Sequence, residues 1–120
     1  MSKEQGKCHC GKVEWEVTLN EKKHILCHCD TCKILSGGTY TLNQIVPMDQ
    51  IKITKGSLKD YTYYGDSAYH HQEIMGDNIV VRTGLLNSAK SMQPGAEIYG
   101  KARLPWVVEV AQTFDTMPPS

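Results

Sequence analysis

The chain lacks several features that would settle its class at once. No apolar run approaches the ~18 residues of a membrane span, and the polar start Met1-Ser2-Lys3-Glu4-Gln5 has no signal-peptide stretch. Both absences point to a cytosolic protein. Charge of either sign is not in excess: thirteen basic residues balance thirteen acidic ones, so no long-range positive field attracts phosphate backbones, and nucleic acid is not an expected partner. No stretch keeps a helical period, and Gly37-Gly38 is not followed by the helix and lysine of a phosphate-binding loop.

What is present is a cysteine set. Cys27-His28-Cys29-Asp30-Thr31-Cys32 puts three thiols within six residues, and Cys8-His9-Cys10 supplies the other two. In a reducing compartment such tight spacing favours metal ligation or catalysis over disulfides. At 120 residues the chain fits a single domain, 1–120, able to bury roughly two-thirds of its unfolded surface. Residues 115–120, with Pro118-Pro119, read as a loose tail unless they dock on a neighbour.

Residues 12–19 alternate, with Val13, Trp15, Val17 and Leu19 on one face, which predicts a half-buried strand. Cys8 and Cys10 just before it share a face if the chain is extended there. Further strands are expected at 24–26, 39–46, 51–55, 60–64, 78–83 and 96–103, with a turn at Pro94-Gly95. One helical turn is expected over 30–35, with Asp30 as N-cap and Ser36-Gly37-Gly38 as stop. The architecture is therefore mainly β. Trp15 and Trp106 both read as core or strand-packing residues.

Three thiolates from C-x-C-x-x-C suit a zinc ion, and zinc sites that do chemistry commonly leave the fourth position open. In an extended run the His28 ring projects away from the face shared by Cys27 and Cys29. A fourth ligand, if the site is closed, would come from His24, His70, His71 or the Cys8/Cys10 pair. Three thiolates make zinc a weak Lewis acid but suit it to binding a thiol, which is deprotonated on coordination. Addition of a small thiol to an electrophilic carbon is the natural reaction class. An iron–sulfur cluster expects four cysteines at other spacings, and a thioredoxin-like site expects a βαβ pattern that is missing here.

Gly6-Lys7-Cys8-His9-Cys10-Gly11, the Cys27–Cys32 run with Ser36-Gly37-Gly38, then Ile79-Val80-Val81-Arg82-Thr83-Gly84-Leu85-Leu86, Pro94-Gly95-Ala96-Glu97-Ile98-Tyr99 and Pro105-Trp106 together resemble the glutathione-dependent formaldehyde-activating enzyme family, which includes the centromere protein V type of domain. The resemblance implies a β-tent fold, a catalytic zinc on Cys27, Cys29 and Cys32, and a structural zinc on Cys8 and Cys10 with a later C-x-x-C. It also implies carbon–sulfur lyase activity, joining glutathione to formaldehyde as S-hydroxymethylglutathione.

The later C-x-x-C has no counterpart: the connection at 65–77 carries His70 and His71 instead. Those histidines could complete a second site, Cys8 and Cys10 could be thiols buried as small hydrophobes, or the pair could find ligands across a homodimer interface. The altered segment also keeps two other functions open. One is a zinc enzyme of the same fold acting on another substrate in specialised metabolism; the other is a non-catalytic zinc-binding interaction domain.

Overall fold

A computed structural model describes residues 1–58 and 77–118. The expected strand at 60–64 and the histidines His70 and His71 lie outside the described residues. Among the described residues the protein is mainly β, as expected, with two sheets. One has the order β1 (Ser2–Lys7), β2 (Glu14–Leu19), β5 (Ile51–Lys55); the other has the order β6 (Asn78–Arg82), β4 (Thr41–Pro47), β3 (Lys23–Cys27), β7 (Gln93–Ile98). A single α-helix among these residues, α1 (Asp30–Ser36), follows β3. None of their helices is long and apolar enough to cross a membrane.

Strand β2 follows the alternation read from the sequence. Trp15, Val17 and Leu19 point inward and pack with Val46 of β4, Val81 of β6, Leu86 and Met92, forming the core between the sheets. Full burial of Val17 or Leu19 stabilises the fold by roughly 1.5–3 kcal/mol each. Trp15 also dictates its neighbour: a Cβ on Gly6, its partner on β1, would lie 2.6 Å from the indole ring.

Strand β1 was not expected. Its inward positions are Glu4 and Gly6, neither apolar, so its period-two burial leaves no hydrophobic signature. Glu4 instead meets Lys22 at 3.5 Å, and burial of its oxygens is offset by hydrogen bonds that hold its carboxyl below the usual range, that from Ser88 foremost.

Strand β7 corrects two expectations. It starts at Gln93 and ends at Ile98, so Pro94-Gly95 lies within a strand and the residues beyond Ile98 do not continue it. β7 runs parallel to β3 at the sheet edge, where a missing proline N–H is tolerated, and the register skips Gly95 between the His24/Pro94 and Ile25/Ala96 pairs. Trp106 is 72% exposed and does not belong to the core, whereas Trp15 does.

Contacts with the domain reach into the segment expected as a tail, as far as Met117. The Tyr99 N–H donates to Thr116 O at 3.0 Å, Phe114 exchanges backbone hydrogen bonds with Glu97 and Gly100, and Phe114 and Met117 pack against a second core built around the thiols. The segment is held by backbone pairing, which its side chains do not announce.

Candidate metal centre

The three thiols converge where β3 passes into α1. Cys27 ends β3, paired with Thr41 on one side and Ile98 on the other. The chain stays extended through Cys29 (φ −61°, ψ 153°), so Cys27 and Cys29 share a face, and α1 then returns Cys32 to them. Their sulfurs lie within 4.8 Å of one another. A tetrahedral zinc with Zn–S bonds of about 2.3 Å requires sulfurs about 3.8 Å apart, so the trio can hold a metal ion with small side-chain adjustments.

The N-cap of α1 is Cys29, not Asp30. Its Sγ accepts the Cys32 N–H at 3.2 Å, so one sulfur both faces the centre and caps the helix that brings in the third. Lys33 secures the helix from the other side, donating to Ala102 O at 2.7 Å and meeting Asp30 at 2.9 Å. The stop is as expected, with Gly37 in the left-handed region at φ 65°.

Burial of the thiols is nearly complete: Cys27 is 2%, Cys29 0% and Cys32 3% exposed. They share protons unequally. Hydrogen bonds from the Cys27 and Cys29 thiols, then from Thr41, with the Arg82 charge, pull Cys32 down from the usual thiol range. Cys27 is pushed far up by its hydrogen bonds to Cys29 and Cys32 and by burial. The pocket thus favours one negative charge within the trio, with the Arg82 charge among the groups that stabilise it.

His28 projects away from the thiols, as the extended geometry requires, and is fully buried. Its Nε2 lies 2.7 Å from Glu97 Oε1. Glu97, also fully buried, accepts from Arg103 at 3.0 Å, from the Val110 N–H at 2.6 Å and from the Ala111 N–H at 3.0 Å. Burial alone would raise the Glu97 carboxyl; the donors, led by Val110 and His28, outweigh it and hold it at about 2. Sequence reasoning missed this network because a buried carboxylate interrupts an apolar pattern without marking its partners. His24, a possible fourth ligand from the sequence, is committed elsewhere: its nitrogens lie 2.6 Å from Thr83 Oγ1 and 3.0 Å from Ala89 O.

Cys8 and Cys10 sit apart from the trio, on a turn instead of an extended segment. The Gly11 N–H donates to Cys8 O at 3.0 Å, and the two sulfurs lie 3.4 Å apart. Cys10 is exposed and Cys8 half-buried, so they are not thiols buried as small hydrophobes. The Val13 N–H, 3.4 Å from the Cys8 sulfur, and then the Cys10 thiol bring Cys8 down to about 7. Among the described residues, no further ligating side chain joins the pair to make a group of three.

One small space adjoins the trio, and a larger one lies beyond Thr41 and Arg82 with no thiol in its lining. A void of about 10 Å³ is lined by Cys27, Cys32, Asn43 and Arg82 among others, and an open cleft of about 450 Å³ is lined by Ser36, Tyr40, Thr41, Arg82 and leucines. Arg82 belongs to both. Nothing in the Ile79–Leu86 stretch, read only as a strand and a point of resemblance, marked it as a site residue.

Two sheets carrying a buried trio of thiols at a strand-to-helix junction define a small β protein with a thiol centre suited to a soft metal. The chain belongs to the glutathione-dependent formaldehyde-activating enzyme family, whose model matches residues 3–102. The match takes in both thiol motifs, Arg82 and Glu97; Arg103, Val110 and Ala111, which complete the buried network, lie beyond it.

Proposed function

We propose that the protein is a zinc enzyme of carbon–sulfur lyase type that adds the thiol of glutathione to formaldehyde, working as a single soluble cytoplasmic domain with Cys27, Cys29 and Cys32 as metal ligands. The observation that carries this reading is the convergence of three buried sulfurs within 4.8 Å beside an open cleft, in a chain of this family. A zinc ion held by the trio supplies a soft site at which a thiol is bound and loses its proton near neutral pH.

The chain's own residues do the rest. Cys29 keeps its place through the Cys32 N–H, and β3 pairing holds Cys27, so two sulfurs are preset before any ligand arrives. Arg82 offsets the negative charge of the thiols. The addition makes one C–S bond as the carbonyl C=O becomes C–OH, and the proton lost by sulfur ends on that oxygen.

The test is turnover by zinc-loaded protein, with hydroxymethyl thioether formation from glutathione and formaldehyde followed by NMR. Acceleration over the spontaneous reaction, abolished in Cys32→Ser, is expected; no acceleration overturns the substrate assignment. Near-complete burial of all three sulfurs favours a second reading, a non-catalytic zinc domain. Cobalt-substituted protein separates the two: a visible spectrum that shifts when a small thiol is added supports catalysis, and an unresponsive one supports the structural reading.

A further inference from the structure

The chain has two arginines, and they are treated differently. Arg103 is neutralised by Glu97 at 3.0 Å and Glu109 at 3.8 Å. Arg82 is half-buried at the end of β6, and among the described residues no carboxylate lies within ion-pair distance of it. Its Nη1 donates to Thr41 Oγ1 at 3.3 Å and to Asn43 Oδ1, both on the neighbouring strand β4. These bonds fix the guanidinium plane and use one nitrogen of three. A guanidinium carries five N–H donors in a planar fork, and a fork with one end anchored is preorganised for a carboxylate on its remaining edge.

Position adds the second half of the case. Arg82 lines the void against Cys27 and Cys32 and also the cleft of about 450 Å³, so the guanidinium stands between the thiol centre and any molecule seated in that cleft. The volume lies within the range for small-molecule sites. The remaining walls alternate hydroxyls, Ser36, Tyr40 and Thr41, with the apolar Leu35, Leu42 and Leu85. Such a wall suits a flexible, peptide-like ligand with polar and aliphatic parts.

We propose that Arg82 anchors a carboxylate of the thiol substrate in the cleft beside the Cys27–Cys29–Cys32 centre, making the site selective for small thiols that carry a carboxylate. This rests on the reading above that a small thiol is the substrate. Arg82 does not hold the metal; it recognises the far end of the molecule whose sulfur the centre receives.

The test measures binding of glutathione and of its diethyl ester, in which both carboxylates are capped, to the zinc-loaded full chain by calorimetry. Wild-type protein should bind glutathione roughly tenfold or more tightly than the ester, the effect of one charge-assisted hydrogen-bonded pair. Arg82→Gln should close that gap by weakening glutathione alone, and Arg82→Lys, which keeps the charge but not the fork, should restore part of it. The comparison of two ligands on wild-type protein stands even if a variant folds poorly. If wild-type protein binds neither ligand, the thiol reading and this assignment fall together. If it binds glutathione but does not distinguish the ester, or if the gap persists in folded Arg82→Gln, only the Arg82 assignment falls. Loss of zinc from Arg82→Gln with the gap intact would show that the residue serves the thiolates instead.

Discussion

His28 and Glu97, 69 positions apart in the chain, meet in the interior with Nε2 and Oε1 at 2.7 Å, neither exposed. Among the described residues His28 Nδ1 has no hydrogen-bond partner, so the ring proton is assigned to Nε2, where it is donated to the carboxylate. Because His28 sits between Cys27 and Cys29, this contact ties the metal loop to β7. Glu97 in turn holds the 110–111 backbone, and Phe114 and Met117 pack against the cluster that the thiols form with Ile98 and Tyr99. One carboxylate thus joins both walls of the centre.

Glu97→Gln keeps the shape but removes the charge facing Arg103 and His28. Breaking a buried pair from one side costs about 3 kcal/mol. Urea unfolding of the variant should show a loss of that order; a loss under about 1 kcal/mol would mean that the network adds little.

The same carboxyl sets an acid dependence. Its folded value of about 2 lies below the ordinary 4.5, so its contribution is complete above pH 4.5 and is lost as pH falls toward 2. Linkage puts that contribution at about 3 kcal/mol. Stabilities of wild type and Glu97→Gln, measured from pH 6 to pH 2 (about the range set by these values), should converge at the acid end. Parallel curves would sink the assignment.

Cys29 has two jobs, and two substitutions separate them. Cys29→Ser and Cys29→Ala should both lose tight zinc binding, since three soft ligands become two. In chelator the serine variant keeps a helix cap and the alanine variant does not, so thermal unfolding should place alanine about 1 kcal/mol lower. Equal stabilities would show that the Sγ to Cys32 N–H contact does not cap α1.

The two thiol groups should differ in reactivity. Cys8, half-buried beside an exposed Cys10 and held at about 7, should be alkylated with a rate that climbs through pH 7 as its thiolate forms. The buried Cys27, Cys29 and Cys32 should react far more slowly in native, zinc-loaded protein. Peptide mapping after brief iodoacetamide treatment checks both; early labelling of Cys32 would contradict the burial of the centre.

Phe114 packs against the cluster of Cys27, Cys29, Cys32, Ile98 and Tyr99. Phe114→Ala should cost about 1–2 kcal/mol, below the range for a fully buried ring because the residue is only half-buried. It should also speed alkylation of Cys27 and Cys29 in chelator, read by the same mapping. Unchanged stability and labelling would mean that the segment does not shield the thiols.

Local spacing determined much of this protein. The C-x-C-x-x-C run, the alternation of β2 and the glycine stop after Ser36 are short-range patterns, and each dictates geometry over a few residues because backbone sterics do. Only tertiary structure decided that Glu97 closes on His28, that Arg82, with no carboxylate partner among the described residues, stands between the thiols and a cleft, that Cys29 rather than Asp30 caps α1, and that Phe114 and Met117 pack against the thiol cluster. Those facts depend on pairings such as β3 with β7 and β4 with β6, which join distant residues through backbone hydrogen bonds common to every residue but proline, and so leave no mark on the identities of the side chains they bring together.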